Sequence, residues 1–91
     1  MYGFLFGEFE NGQANGIGFQ GFLFGDHYIG EFKDGQPNGR GVFRWQSGSE
    51  YDGGVKDGEK HGHGTMTWEG GESFTGEWKE GERHGKGAYT S

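Results

Sequence analysis

Four histidines, fourteen acidic side chains and one glycine-rich tract are the residues of this 91-residue chain that invite a chemical reading. Zinc needs ligand atoms at about 2.0–2.1 Å. His61 and His84 occupy equivalent positions of adjacent repeats, so in a sheet they stand two strands, roughly 9.6 Å, apart and should not share an ion. His61 and His63 would need ligands from elsewhere, and His27 stands alone, so all four read as turn and surface histidines. No cysteine is present, which removes disulfides and thiolate metal sites. No Ser/His/Asp grouping emerges, and Asp57 and Glu59 look like solvated loop charges. The tract Gly16-Ile-Gly18-Phe-Gln-Gly21 matches the dinucleotide fingerprint. That fingerprint needs a strand followed by a helix N-terminus, whereas this tract runs through an expected strand with no helix after it. The chain is therefore expected to have no catalytic residue, no cofactor and no metal.

The remaining chemistry is that of apolar surface. Aromatic residues make up 18% of the chain, against only 29% apolar residues in all. The candidates for a partner-binding face are Tyr28, Phe32, Phe43, Trp45, Tyr51, Met66, Trp68, Phe74, Trp78 and Tyr89. Such a ring content argues against disorder, although a quarter of the residues are glycine. Glycines and rings together call for a regular pattern that uses both.

Rows of 23 residues, begun at Leu5, Tyr28, Tyr51 and Phe74, align without a gap. Repeat position three is Gly7, Gly30, Gly53 and Gly76; position eight is Gly12, Gly35, Gly58 and Gly81. Positions twelve and fourteen are glycine in every row, from Gly16 and Gly18 to Gly85 and Gly87. Position twenty-one is Gly25, Gly48 and Gly71. Nineteen of the 23 glycines thus fall at five positions, which marks a tandem-repeat architecture with repeats 5–27, 28–50, 51–73 and 74–91 in one domain.

Each row reads as a β-hairpin. Positions seven and eight carry Asp34-Gly35 or its equivalents, and positions eleven and twelve carry Asn38-Gly39 or theirs; both are turn signals. The expectation is a six-residue loop between strands at positions one to six and thirteen to eighteen. Across that loop position one would face eighteen, three would face sixteen and five would face fourteen. Phe32 or Trp78 would then lie opposite Gly41 or Gly87, and Phe43, Met66 and Tyr89 opposite Gly30, Gly53 and Gly76, each glycine covered by a cross-strand ring or Met. Period-two alternation puts the rings on one face and polar residues on the other. The fold expected is all-β: a single-layer antiparallel meander of about eight strands, close to 40 Å long at roughly 4.8 Å per strand.

The tracts Tyr28-Ile-Gly-Glu-Phe-Lys-Asp-Gly-Gln-Pro-Asn-Gly-Arg-Gly41 and Phe74-Thr-Gly-Glu-Trp-Lys-Glu-Gly-Glu-Arg-His-Gly-Lys-Gly87 resemble the MORN (membrane occupation and recognition nexus) repeat family. The resemblance covers essentially the whole chain. It implies β-hairpin solenoids that scaffold, dimerise, bind partner segments or associate with phospholipid membranes, and it carries over no catalytic residues. Three departures stand out. Leu5 replaces Tyr and Gln20 a large apolar residue in repeat one; Gly54 and Val55 replace Glu and Trp in repeat three; repeat four ends at Ser91 as its second strand closes.

A single sheet has no second layer, so ring edges left open form a trough suited to a partner helix or extended segment rather than a small polar metabolite. Repeat one is unusually apolar and has no basic residue. A terminal repeat is expected to be polar on its outer face, so Phe4, Phe6, Phe19, Phe22 and Phe24 are assigned to contact with a second copy or another part of a longer chain. The two sheet edges also invite strand pairing. Net charge is −6, with −2 over 1–24, −1 over 25–50, −3 over 51–73 and 0 over 74–91. Without a basic excess, nucleic acid is excluded as a partner, and bulk attraction to anionic lipid is disfavoured, leaving Lys60, Arg83 and Lys86 as a local basic spot. No apolar stretch is long enough for a transmembrane helix, and the N-terminus lacks a basic signal region; the location expected is cytoplasmic. The function expected is a non-catalytic, self-associating interaction or scaffold module for a protein or peptide, with a membrane-surface lipid adaptor as the alternative.

Overall fold

The computed structural model describes residues 4–10 and 13–91, with side chains for 7, 15–22 and 24–91. Eight strands follow one another: β1 (Phe4–Glu10), β2 (Gln13–Gly21), β3 (His27–Lys33), β4 (Gln36–Arg44), β5 (Glu50–Lys56), β6 (Glu59–Thr67), β7 (Ser73–Lys79) and β8 (Glu82–Thr90). They form one antiparallel sheet in sequence order, with extents of 42 × 26 × 18 Å. The all-β meander expected from the glycine spacing is the fold.

The register differs from the expectation by two residues up to a bulge and by four beyond it. In repeat two Tyr28 faces Phe43, Gly30 faces Gly41 and Phe32 faces Pro37. Position one thus meets sixteen, three meets fourteen and five meets ten. The six-residue loop is replaced by a two-residue turn at Asp34 (φ 53°) and Gly35 (φ 86°), both left-handed, as the tight hairpin turn with two positive φ angles requires. Asp57-Gly58 and Glu80-Gly81 repeat it. Asn38-Gly39, taken as a second turn, lies inside β4 at a bulge: Asn38, Gly39 and Arg40 together stand opposite Glu31. The Glu31 carboxylate closes the bulge by accepting the Arg40 amide at 2.7 Å.

This register lines up eight glycines across the sheet: Gly7, Gly18, Gly30, Gly41, Gly53, Gly64, Gly76 and Gly87 each face the next. Glycine therefore faces glycine, not a ring. Cover comes diagonally: a Cβ on Gly41 would strike the Tyr28 ring, one on Gly64 the Tyr51 ring and one on Gly87 the Phe74 ring. The position-one ring lies flat over the bare backbone and fills the space that absent side chains leave.

Beside the glycines runs a row of large side chains in mutual register: Tyr28, Phe43, Tyr51, Met66, Phe74 and Tyr89. On the other side lie Phe32, Val55 and Trp78, facing Pro37, Lys60 and Arg83. The core consists of Tyr28, Phe32, Val55, Tyr51, Met66, Phe74 and Trp78, and burying each side chain of this kind contributes about 1.5–3 kcal/mol. The rings meet edge-on, Tyr28 with Phe32 at 5.3 Å, Tyr51 with Trp78 at 5.5 Å and Phe74 with Trp78 at 5.7 Å, the geometry their quadrupoles favour.

Neighbouring repeats are joined by a second turn in which Phe22, Trp45 and Trp68 amides reach the carbonyls of Asp26, Ser49 and Glu72. The hairpin tips are stitched too: Gly58 donates to the Pro37 carbonyl and Gly81 to that of Lys60, each at 3.0 Å. The opposite face carries a contact between His63 Nδ1 and Glu77 Oε2 at 3.4 Å and a Thr65–Thr75 hydroxyl contact at 2.9 Å. It is less polar than expected, since Ile29, 48% exposed, pairs with Val42 there.

Candidate binding cleft on the ring face

Of the ten residues assigned to partner binding, six are core. Tyr28 and Tyr51 are fully buried, and Phe32, Met66, Phe74 and Trp78 nearly so. Four reach the surface: Phe43, Trp45 and Trp68 are half-buried, and Tyr89 is 54% exposed. Phe43 and Trp45 stack at 5.9 Å and 17°, and Trp68 meets Tyr89 at 6.2 Å. These rings stand at the inter-repeat-turn end of the ring face. Trp45 and Trp68 lie one residue past the ends of β4 and β6.

A cleft of about 450 Å³ opens between those turns and the hairpin tips, with Phe22, Asp26, Phe43 and Trp45 on one wall and Gly58, Glu59, Lys60 and Gly81 on the other. A second hollow of about 410 Å³ lies over the opposite face and is polar. A third, of about 440 Å³, adjoins the first through Trp45 and Asp26 and reaches Phe24. Among the residues assigned to self-association, Phe24 is 81% and Phe22 38% exposed, so both border this region. Phe19 lies half-buried on the opposite face, stacked on His27 at 5.4 Å. Phe24 adopts φ 64°, a left-handed conformation unusual for a bulky residue. The side chains of Phe4 and Phe6 lie outside the described residues.

Lys60 was not assigned to this site, yet it lines one wall. Its Nζ lies 5.5, 5.9 and 5.3 Å from the ring centres of Trp45, Tyr51 and Trp78, and burial pushes its ammonium below the usual lysine range. Arg83, one repeat on, stands over Trp68 and Phe74 at 5.9 and 5.4 Å. The signal was the Asp-Gly dipeptide. Closing the hairpin there sends position ten back across position five, onto the ring face. The basic spot of Lys60, Arg83 and Lys86 does not form: the first two lie on rings, whereas Lys86 alternates with Gly85 and Gly87 and so points to the other face.

Among the described residues no three His, Asp or Glu side chains converge as a metal site would require. The fingerprint-like glycine tract lies in β2 and ends at a three-residue 3-10 turn. No helix of the described residues is long and apolar enough to cross a membrane.

A single open sheet of tandem hairpins, with a ring-lined face and a cleft along it, defines a repeat protein built to present surface. The MORN-repeat family model matches residues 6–21, 28–50, 51–73 and 74–91, and the chain belongs to that family. MORN repeats are generally protein- or membrane-interaction modules and typically non-enzymatic. No curated protein matches the chain.

Proposed function

We propose that this protein is a non-catalytic, self-associating scaffold that binds an extended or helical segment of a protein partner in the cleft beside Phe43 and Trp45. The observation that carries this reading is the stacked Phe43–Trp45 pair, left half-buried at the cleft while its neighbours Tyr28 and Tyr51 are fully buried. An apolar anchor on the partner would complete the stack, as aromatic-lined pockets do at interface hot spots. Glu59, exposed on the far wall, offers charge to a polar flank. The membrane-surface alternative is weakened because Lys60 and Arg83 are engaged with rings.

The test compares the folded wild type with Trp45→Ala and with Lys79→Ala as an exposed control. Affinity purification from the native source should retain a partner on wild type and control but lose it on Trp45→Ala. Salt-sensitive flotation with phosphoinositide vesicles, undiminished by Trp45→Ala, would instead make lipid the ligand and overturn the protein-partner reading.

A further inference from the structure

Three interfaces between repeats use one register. β2 meets β3 with Gly16 facing Phe32 and Gly18 facing Gly30. β4 meets β5 with Gly39 facing Val55, Gly41 facing Gly53 and Phe43 facing Tyr51. β6 meets β7 with Gly62 facing Trp78, Gly64 facing Gly76 and Met66 facing Phe74. The outer edge of β8 presents the same series, Gly85, Gly87 and Tyr89, and pairs with no strand among the described residues. All nine β8 residues are exposed. Tyr89, the equivalent of the nearly buried Met66, is 54% exposed.

The strand this edge fits has a large apolar residue, one residue, Gly, one residue, then another large apolar residue. One outermost strand of this chain has that pattern: β1, with Leu5, Gly7 and Phe9. We infer that the outer edge of β8 takes β1 of a second copy as its next strand, antiparallel, with Tyr89 facing Leu5, Gly87 facing Gly7 and Gly85 facing Phe9. The inference rests on the self-association reading above and gives it a place and a direction.

Charge supports this occupant. Within the chain, position thirteen of one repeat faces position four of the next, as His63 faces Glu77 with side chains 3.4 Å apart. The same register between copies sets Lys86 opposite Glu8. Residues 1–24 contain no basic side chain to oppose it. Position fifteen faces position two, as Thr65 faces Thr75 with hydroxyls 2.9 Å apart, so Ala88 comes opposite Phe6. An interface that joins two different surfaces leaves a free β1 and a free β8 on a dimer, so growth continues past it until a ring closes. Pairing of β8 with β8, or β1 with β1, would stop at a dimer.

The chain has no cysteine, so engineered thiols report the contact directly. Ala88→Cys and Phe6→Cys chains, distinguished by mass, are mixed and oxidised mildly. The expected product is a disulfide between the two variants, in large excess over either homodimer, with light scattering on the wild type rising past a dimer with concentration. Lys86→Glu should raise the concentration needed for assembly by about tenfold. Excess homodimer of either variant overturns the β8-to-β1 pairing and leaves self-association standing. A wild type that stays monomeric at every concentration overturns both. Thr90→Cys with Phe4→Cys, equivalent to the facing pair Thr67 and Ser73, replaces the first pair should Phe6→Cys fail to fold by circular dichroism.

Discussion

The Tyr28 hydroxyl donates to the backbone carbonyl of Glu31 at 2.9 Å, three residues along its own strand. Tyr51 does the same to Gly54 at 2.7 Å. Each ring crosses the glycine between and ends at the bulge, so one side chain both covers bare backbone and satisfies a carbonyl freed there. Tyr28→Phe and Tyr51→Phe keep the ring but leave that carbonyl without its donor. Each should cost about 1–2 kcal/mol, read as a lowered urea midpoint without a change of slope.

Both hydroxyls titrate late. Burial raises the Tyr28 and Tyr51 pKa values from 10.0 to about 12. The folded state therefore holds these protons more tightly than the unfolded state. The stability they supply is fully present below pH 10.0 and is lost as pH climbs from there through about 12. Alkaline unfolding followed by circular dichroism should set in across that window, accompanied by tyrosinate absorbance. Tyr28→Phe and Tyr51→Phe should each flatten the decline while lowering stability at neutral pH.

The glycine row tolerates no side chain. A Cβ on Gly53 would run into the Gly64 backbone and the His63 carbonyl. Gly53→Ala should cost about 3 kcal/mol, the upper end of what overpacking costs, and should lower the melting temperature markedly. Gly70, in the inter-repeat turn, has nothing within 4 Å and no positive φ. Gly70→Ala should leave stability unchanged or raise it by about 0.5 kcal/mol through the unfolded chain. Thermal melts of the pair separate glycine needed for space from glycine tolerated in a turn.

Lys60 stabilises through its stem and its charge together. With three rings within 5.9 Å of Nζ, Lys60→Ala should cost about 1–2 kcal/mol and raise tryptophan accessibility to a neutral quencher. Lys60→Met keeps the apolar stem and should lose less than half of that. Equal losses in the two variants would mean that the ammonium, not the cover, is what matters.

Much of this was legible from residue spacing. The glycine positions gave the repeat length and the strand order. Alternation gave the ring face, because Tyr28 and Phe32 share parity along β3, as Gly41 and Phe43 do along β4. The choice between Asp34-Gly35 and Asn38-Gly39 as the hairpin turn was not legible, because both dipeptides carry the same local preference. Nonlocal contacts decide it: Glu31 caps the Arg40 amide, and the next tip bonds to the Pro37 carbonyl. Lys60 could be placed among rings only after that choice.

The sequence alone determined which residues share a face, since side chains alternate with a period of two. It could not determine the register, because a slip of two residues returns every side chain to the same face and leaves the alternation intact. Only the folded sheet decided that glycine meets glycine, that six of the ten candidate residues are buried, and that Phe43, Trp45, Trp68 and Tyr89 stay partly exposed. The physical reason is packing: a tyrosine ring fits flat over bare backbone in one of the two registers, and that fit is made across strands rather than along them.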